Sequence, residues 1–396
     1  MLCIFGGSNP CCHWKQSLWK RKTNPVSLYR QNYRPNLLRK DSRGYFVQQK
    51  WVFPRTASYR TVHIFVNEIF VIENFGDKMA IVLTPEEIRK KFGPLFCHQL
   101  LVMVDEANGI AELHEECHAR GPIEWDHMNR RRAGGALISA STVGTKMTMR
   151  AKLGRYQVKF GAADTELGGQ ALEAVEVKGD EVRTSWAGAA GAGVGVAACL
   201  AQAPGVLRTE YESEEDLKVG GARICRSTIV LPKYEKITFG IDDTDTPESG
   251  ATWVLAMKCG EGCTIPGAIF LSMRIIQLNP RAPNKTTNCT GSVISFAVLP
   301  EKKAELITYV KSFIEENSVS PDTGICYAEG LVLPKSEYKD KIKTELLTKA
   351  YANETAEKIG ITFIDSANGK GRVGSLGALL WADDGVEAAG LYGEKA

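Results

Sequence analysis

KITFGIDDTDT, residues 236–246, places three carboxylates directly after a short apolar run. The apolar part, 236–241, predicts a buried strand, and ATWVLAMK at 251–258 predicts a helix after it. Ligands in open α/β sheets bind at the edge where such strands end. The segment therefore indicates an α/β fold, with α+β as the alternative, and a site directly after the strand.

Carboxylates this close together repel one another unless a cation joins them. Hard oxygen ligands favour Mg²⁺, which most often arrives with nucleotide phosphates. We therefore predict Asp242, Asp243 and Asp245 as metal ligands and catalytic groups. The alternative is an acidic turn that caps the helix through Thr246 or Ser249.

Three downstream segments have the composition of a polyphosphate site: KTTN at 285–288, PDTG at 321–324 and NGKGRVGSLG at 368–377. The last reads as a glycine-rich turn that feeds the helix ALLWA, so its amides and its cations could hold anions. The predicted nucleotide-binding residues are Thr244, Lys285, Thr286, Asn288, Gly369, Lys370, Gly371, Arg372 and Gly374. Between these segments, amphipathic patterns predict helices over 301–316 and 336–358 whose Lys and Glu side chains form solvated faces.

All six histidines lie at or before His127, so 128–396 offers no imidazole base or ligand. Phosphoryl or nucleotidyl transfer needs none, because positioning, metal and cationic charge supply most of the catalysis.

Residues 79–232 are predicted to form a β-rich domain before the 233–396 domain. Thr84 and Pro85 mark a helix start, Gly93 marks its end, and alternation over 157–186 with a turn at 178–180 indicates a hairpin.

Two other features of this region leave alternatives open. The glycines at 191, 193 and 195 fit either a phosphate-binding loop or a tightly packed small-residue helix. His114 and His118 would lie one helical turn apart, as in zinc sites, but ordinary surface and packing histidines are favoured because no CxxC pair accompanies them.

Residues 1–78 differ in charge from the rest of the chain. They contain 13 Lys or Arg against 4 acids, a net charge of +9 that leaves −6 for 79–396. One interpretation is a disordered basic arm that binds nucleic acid. The favoured one is translated upstream DNA, because 76–78 can be encoded by a ribosome-binding sequence and a well-capped helix follows Met79.

In this order, GIDDTDT, LNPRAPNKTTN, DTG and GKGRVGSLGA resemble the ATP-using core of archaeal tRNA-isoleucine agmatinylcytidine synthetase. From Met79 onward the chain is still more similar to the methanogenesis marker protein 11 family. The resemblance implies ATP and Mg²⁺ at Asp242, Asp243 and Asp245. It also implies that Thr252 matches a threonine that accepts phosphate, and that Lys285, Thr286, Gly371, Arg372 and Gly377 match its other motifs.

The expected function is Mg-ATP-dependent phosphoryl or adenylyl transfer in a methanogenesis-associated process of an archaeon. One alternative is a nucleotide-binding assembly or maturation factor that acts with methanogenic enzymes, and another is an RNA-binding or tRNA-modifying protein. We expect tRNA to be the less favoured substrate, because the chain ends at Ala396 without the OB-fold and zinc ribbon that handle tRNA in the synthetase.

A cytoplasmic location is expected. The sequence contains no run of about 20 strongly apolar residues. Its eleven irregularly spaced cysteines fit reduced thiols better than a disulfide framework.

If 1–78 is translated upstream DNA, mass spectrometry of native cells should find no peptides between Leu2 and Asp77. Peptides from 80–395 in the same digest serve as the control. A tryptic peptide from 23–60 would overturn the interpretation.

Overall fold

The computed structural model describes residues 80–159, 169–283, 285, 286 and 288–395. The predicted extension, 1–78, lies outside the described residues. Three antiparallel sheets and seven α-helices form the described part. This mixture of helices and sheets confirms the predicted fold class, and the antiparallel pairing corresponds to its α+β form.

The strands in chain order are β1 (Ile81–Leu83), β2 (Cys97–Asp105), β3 (Ile110–Cys117), β4 (Leu137–Val143), β5 (Lys146–Lys152), β6 (Gly154–Arg155), β7 (Gly169–Lys178), β8 (Glu181–Ala189), β9 (Arg208–Tyr211), β10 (Ile224–Pro232), β11 (Glu235–Asp242), β12 (Ala268–Gln277), β13 (Thr290–Val298), β14 (Gly324–Glu329) and β15 (Thr362–Phe363). The helices are α1 (Pro85–Phe92), α2 (Arg120–Ala133), α3 (Thr252–Glu261), α4 (Lys303–Asn317), α5 (Tyr338–Thr344), α6 (Lys349–Ile359) and α7 (Gly371–Leu380).

Helix α1 has the predicted ends. The Thr84 hydroxyl accepts from the Glu87 amide at 3.3 Å, and the Glu87 carboxylate accepts from the Thr84 amide at 2.8 Å. Pro85 occupies the first turn and Gly93 ends the helix. This reciprocal cap satisfies two amides that a helix start would leave without partners.

The first two sheets share one apolar core. One sheet has the order β2-β3-β5-β4 and the other β1-β9-β10-β8-β7-β6. The predicted hairpin is confirmed as β7 and β8, where Lys178 pairs with Glu181. Side chains of both sheets, together with Ile88 of α1 and Ile123 of α2, form the buried cluster.

The third sheet has the order β12-β13-β11-β14-β15 and is covered by helices on both faces. Phe239 and Ile241 of β11 point toward α3 and α4, in a cluster with Leu306 and Val310. Helices α5, α6 and α7 cover the opposite face, where Leu376 and Leu379 are buried. The central strand β11 is therefore buried on both sides, as its apolar sequence predicts.

Helix α7 begins earlier than the sequence predicts. The glycine-rich segment was expected to form a turn before a helix at 378–382, but 371–377 already forms the first turns. Its glycines allow close packing: a Cβ on Gly374 would lie 1.6 Å from Asp242 Oδ2, and one on Gly371 would lie 2.5 Å from the Gly324 nitrogen. These glycines bring the helix against the sheet.

The single helix expected over 336–358 is two helices. Helix α5 ends at Thr344, and α6 begins after Thr348, whose hydroxyl accepts from the Tyr351 amide at 3.2 Å. The two helices are separate because Thr348 caps the start of the second. The connection between them, 345–348, borders the site described below.

The sheets on either side of the predicted boundary at 232/233 are joined by short polar contacts. The Val104 amide donates to the Tyr234 carbonyl at 2.8 Å, and the Leu331 amide donates to Asp105 Oδ2 at 3.0 Å. The boundary itself stays a prediction. Within the described ranges, no helix is both long and apolar enough to cross a membrane.

Gly240→Ala should destabilise the protein, because a Cβ there would lie 2.1 Å from the Ser375 carbonyl oxygen of α7. Overpacking of this kind costs about 1–3 kcal/mol, so the urea midpoint should fall. Gly121→Ala is the matched control, because a Cβ at that helical position meets nothing within 4 Å. Equal midpoints for the two variants would contradict the close helix–sheet packing.

Candidate functional site

A cavity of about 260 Å³ lies where β11 ends against the start of α7. The α5–α6 connection and the segment after β12 form its other walls. Its lining residues are Asp242, Asp243, Leu278, Asn279, Ala282, Pro283, Lys285, Cys289, Ile342, Glu345, Leu346, Leu347, Lys349, Lys370, Val373 and Gly374.

Asp242 is pressed against the first turns of α7. Only glycine fits at 374, because any Cβ there would overlap the Asp242 carboxylate. Burial, followed by the charges of Asp243 and Asp245, raises the pKa of Asp242 well above its usual range. The carboxylate is therefore held in a position where its negative charge is costly.

Asp243 has a left-handed backbone, with φ of 52°. A non-glycine residue rarely adopts this conformation, and aspartate is among those that tolerate it best. Its carbonyl accepts from the Thr323 hydroxyl at 3.2 Å, which ties this turn to the 318–323 loop. Burial, then the charges of Asp322 and Asp245, raises the pKa of Asp243 to about 6 against the opposing charge of Lys370.

Three lysines line the same cavity as the two aspartates, but their ammonium groups contact other partners. Lys285 donates to the Pro280 carbonyl, and Lys349 donates to the Asn368 carbonyl at 2.8 Å. Lys370 Nζ lies 3.4 Å from Asp322 Oδ2. The cavity thus holds carboxylates and ammonium groups that do not neutralise one another directly.

Thr252, Thr244 and Asp245 form a hydrogen-bonded group beside the cavity and do not line it. The Thr244 amide and hydroxyl donate to Thr252 Oγ1 at 3.2 and 3.1 Å, and Thr252 donates to Asp245 Oδ1 at 3.3 Å. Thr252 is only 6% exposed, in the first turn of α3. Neither Thr246 nor Ser249 caps this helix; its N-cap is Ala251, without a side-chain hydrogen bond.

Arg372 points away from the cavity. Its Nε donates to both carboxylate oxygens of Asp365, at 2.9 and 3.2 Å, and its guanidinium lies 4.7 Å from the ring centre of Phe363. Asp365 also accepts from the Asn368 and Ile325 amides, at 3.0 and 3.2 Å. Asp365 therefore connects Arg372 and the loop before Lys370 to strand β14.

Five of the sequence-predicted residues line the cavity: Asp242, Asp243, Lys285, Lys370 and Gly374. The others surround it or lie farther away. Gly369 and Gly371 pack on the backbone of Asp322, while Thr286 and Asn288 belong to the loop that carries Lys285.

The expected three-carboxylate metal cage is absent: in the part of the chain that the structure describes, no three His, Cys, Asp or Glu side chains are grouped to hold a metal ion. Asp245 contacts Thr252 instead. The remaining pair fits a different arrangement, because nucleotide-bound Mg²⁺ takes one or two carboxylates and completes its shell with phosphates and water. Asp242 and Asp243 could provide such a pair, and burial together with their neighbouring carboxylates raises the pKa of both.

Sequence reasoning missed three polar residues of the cavity wall: Lys349, Asn279 and Glu345. Lys349 was assigned to the solvated face of one long helix. Leu-Leu-Thr at 346–348 was the available signal, because a threonine cap after two apolar residues marks a break that brings the next residue to a helix start.

Two of the three glycines left open in the β-rich region have a packing role in this fold, whereas a Cβ on Gly191 would meet nothing within 4 Å. A Cβ on Gly193 would lie 3.1 Å from Cys225 Sγ, and one on Gly195 would lie 2.0 Å from Gln170 Nε2, so these glycines serve close packing within a chain of short 3₁₀ and π turns. His114 lies on strand β3, where its Nε2 is 2.8 Å from Glu112 Oε1. It therefore does not form a helical pair with His118.

Part of the third sheet is similar in sequence to a family of tRNA-modifying synthetases. The profile described as the TiaS TCKD domain matches residues 238–304, which include the second half of β11, helix α3 and Lys285. The tRNA 2-agmatinylcytidine synthetase TiaS of Pyrococcus horikoshii is 28% identical over 153 residues, 35% of this chain and 34% of the synthetase. A solved complex of TiaS with its isoleucine tRNA and ATP aligns with 25% identity and a TM-score of 0.34, over 37% of this chain and 36% of that one.

This chain is thus a distant relative of TiaS and spans about a third of its length. A fuller match is the uncharacterized protein MJ0921 of Methanocaldococcus jannaschii, which is 34% identical over 287 residues, 72% of this chain and 93% of that protein. The chain belongs to the family of this M. jannaschii protein.

Asp243→Asn should stabilise the protein at pH 7.5 and have little effect at pH 3.5. The raised pKa means that the folded state binds the proton more tightly than the unfolded state, so stability falls as pH rises from 3.8 to about 6. Removing the charge should recover at most about 3 kcal/mol above that window, and asparagine also tolerates the left-handed backbone.

Urea midpoints at the two pH values measure this difference. Glu248→Gln is the matched control, because Glu248 is an exposed acid of the same loop that does not line the cavity. A loss of stability in Asp243→Asn at pH 7.5 would contradict the assignment of an uncompensated carboxylate.

Proposed function

We propose that this cavity binds ATP with Mg²⁺ and that the protein transfers a phosphoryl or adenylyl group to an RNA acceptor. The observation that carries the proposal is the shared cavity of Asp242 and Asp243 with Lys285, Lys349 and Lys370. Separated carboxylates and ammonium groups suit a metal–polyphosphate ligand, because such a ligand presents the complementary charge to each.

The three lysines would bind the phosphate oxygens. They approach from different walls of the cavity: the loop after β12, the start of α6 and the start of α7. Helix α7 adds its N-terminal dipole, which favours anions at this end. Phosphoryl transfer from ATP depends mainly on positioning and on stabilisation of negative charge, and a covalent intermediate with the protein is not needed. The three lysines and the helix dipole would supply this stabilisation.

Asp242 and Asp243 would hold Mg²⁺, which when bound neutralises phosphate charge and orients the oxygens. Occupation of the site would relieve the repulsion between the two carboxylates and lower their raised pKa values. Their fixed positions, against Gly374 and in the left-handed turn, support this role because neither carboxylate needs to reorganise on binding.

The cavity accommodates the polyphosphate, and the adenosine would extend toward its apolar wall. Leu278, Ile342 and Leu347 line that wall, and Leu346 is 63% exposed beside them. A base could cover this apolar surface and remove it from water.

Thr252 and Arg372 would be positioning residues. The Thr252 hydroxyl would hold the Asp245 side chain in place through its hydrogen bond. Because Thr252 is buried, a positioning role is better supported than one as a transient phosphate acceptor. Arg372 would keep Lys370 in place through Asp365.

The comparisons favour RNA over a protein acceptor. The synthetases that match 153 and 150 residues of this chain act on an isoleucine tRNA, as their names state. A tRNA acceptor is therefore the best-supported choice. A role in methanogenesis, and membership of the methanogenesis marker protein 11 family, remain the narrower proposal, which rests on the resemblance of the chain from Met79 onward.

A non-catalytic nucleotide-binding assembly factor for methanogenic enzymes is the competing function. It would use the same cavity without turnover, so product analysis separates the two. Release of AMP, ADP or pyrophosphate in the presence of total archaeal tRNA supports the transferase, whereas stable ATP binding without products supports the assembly factor.

Lys370→Ala should raise the Kd for ATP with Mg²⁺ about tenfold or more, because a charge-assisted phosphate contact is lost. Asp243→Asn should abolish turnover and leave the fold intact. Isothermal titration and nucleotide chromatography measure these effects on the full chain.

Lys335→Ala is the control, because Lys335 does not line the cavity. Unchanged ATP affinity in Lys370→Ala together with unchanged turnover in Asp243→Asn would reject the proposal.

A further inference from the structure

A second and larger cavity, of about 460 Å³, lies in the β-rich part of the chain. Strands β2 and β3, helix α2 and the 190–202 segment enclose it. The lining residues are Phe96, Cys97, Glu115, Cys117, Gly121, Pro122, Trp125, Asp126, Gln170, Gly191, Ala192, Val194, Gly195, Cys199 and Leu200. None of them belongs to the 238–304 region that matches the TiaS profile.

The floor of this cavity is a buried polar network around Arg130, which is 0% exposed. Its guanidinium donates to the Glu115 carboxylate and to Gln170 Oε1, and its Nη2 lies 3.6 Å from Asp126 Oδ2. The guanidinium also lies 4.7 Å from the ring centre of Trp186. Its donors are therefore committed to the protein and are not available to a ligand.

The network carries one more negative charge than positive charge when both acids are ionised. Arg130 neutralises Glu115 at close range, and its longer contact leaves Asp126 incompletely compensated. Burial raises the pKa of Asp126 to about 7. The negative charge of Glu115 adds to this shift, and the positive charge of Arg130 opposes it. An added cation beside Asp126 would remove this cost.

The remaining walls are apolar or neutral. Burial raises the pKa of the Cys97 thiol, and that of Cys199 to about 11, so neither is a thiolate at neutral pH. Phe96 and Trp125, 54% and 48% exposed, provide aromatic surface on the open side. Such surface favours an apolar body and attracts a positive charge through its π face.

We propose that this cavity binds a small organic cation, a protonated amine with an apolar body, whose ammonium group pairs with the Asp126 carboxylate. The site goes beyond the proposed function and is independent of the ATP cavity. Anions are disfavoured by the surplus carboxylate. Metal ions are disfavoured because the described residues offer no group of three suitable side chains and the thiols are neutral.

The experiment uses 2-phenylethylammonium as the probe and 2-phenylethanol as its neutral counterpart, titrated calorimetrically into the full chain at pH 8. The amine should bind at least about tenfold more tightly than the alcohol, since each factor of ten corresponds to about 1.4 kcal/mol of ion pairing. Asp126→Asn should remove that difference. Glu124→Gln is the matched control on the same helix, because Glu124 pairs with Arg120 at the surface.

A pH series on the unmodified protein keeps the proposal testable if Asp126→Asn fails to fold. The groups that face Asp126 are Arg130 on its own helix, Glu115 on β3, Gln170 on β7, Cys97 on β2 and Cys199 on the 190–202 segment. Since ionisation of Asp126 centres at about pH 7, affinity for the amine should rise from pH 6 to pH 8, whereas affinity for the alcohol should not. A flat profile, equal affinity for the two probes, or no saturable amine binding would overturn the proposal.

Discussion

The close contact between helix α7 and strand β11 determines the geometry of the candidate ATP site. Glycine at 240 on the strand and at 371 and 374 on the helix allows this close approach, because a Cβ at any of the three would lie within 2.7 Å of an atom of the other element. The helix start then lies beside the strand end, so Asp242 and Lys370 border one cavity although 128 residues separate them in sequence. Close packing against Asp242, Asp322 and Gly324 is a structural reason for the glycines at 369, 371 and 374, and the role of this motif in nucleotide binding stays a prediction.

This contact also explains why the site is electrostatically unfavourable without a ligand. Close packing removes water from Asp242, and the left-handed turn holds Asp243 next to it, so the pKa of each carboxyl is raised. The Asp365 carboxylate accepts from both Arg372 and the Asn368 amide, and so ties the loop before α7 to the start of the helix. A rigid arrangement of like charges is typical of a site that is stabilised when it binds a cation.

The sequence predicted β11, α1, the β7–β8 hairpin and the aspartates of the candidate site, because each has a local signal: an apolar run, a capping box, a turn or a run of acids. It could not show that Arg372 contacts Asp365 or that Asp245 contacts Thr252, since side-chain partners depend on tertiary packing. Lys349 was missed because a helix break depends on context as well as on a threonine cap. The amine cavity had no sequence signal, because Glu115, Asp126 and Gln170 come from three separate elements.

The central claim is that a metal–triphosphate lies between Asp242 and Asp243 on one side and the lysines on the other. Crystals grown with a non-hydrolysable ATP analogue and Mn²⁺ test it directly, because anomalous scattering locates the metal independently of the phosphates. The account predicts an anomalous peak within coordination distance of the Asp242 or Asp243 carboxylate, with phosphate density toward Lys370. A peak at another site, or phosphate density outside this cavity, would contradict it.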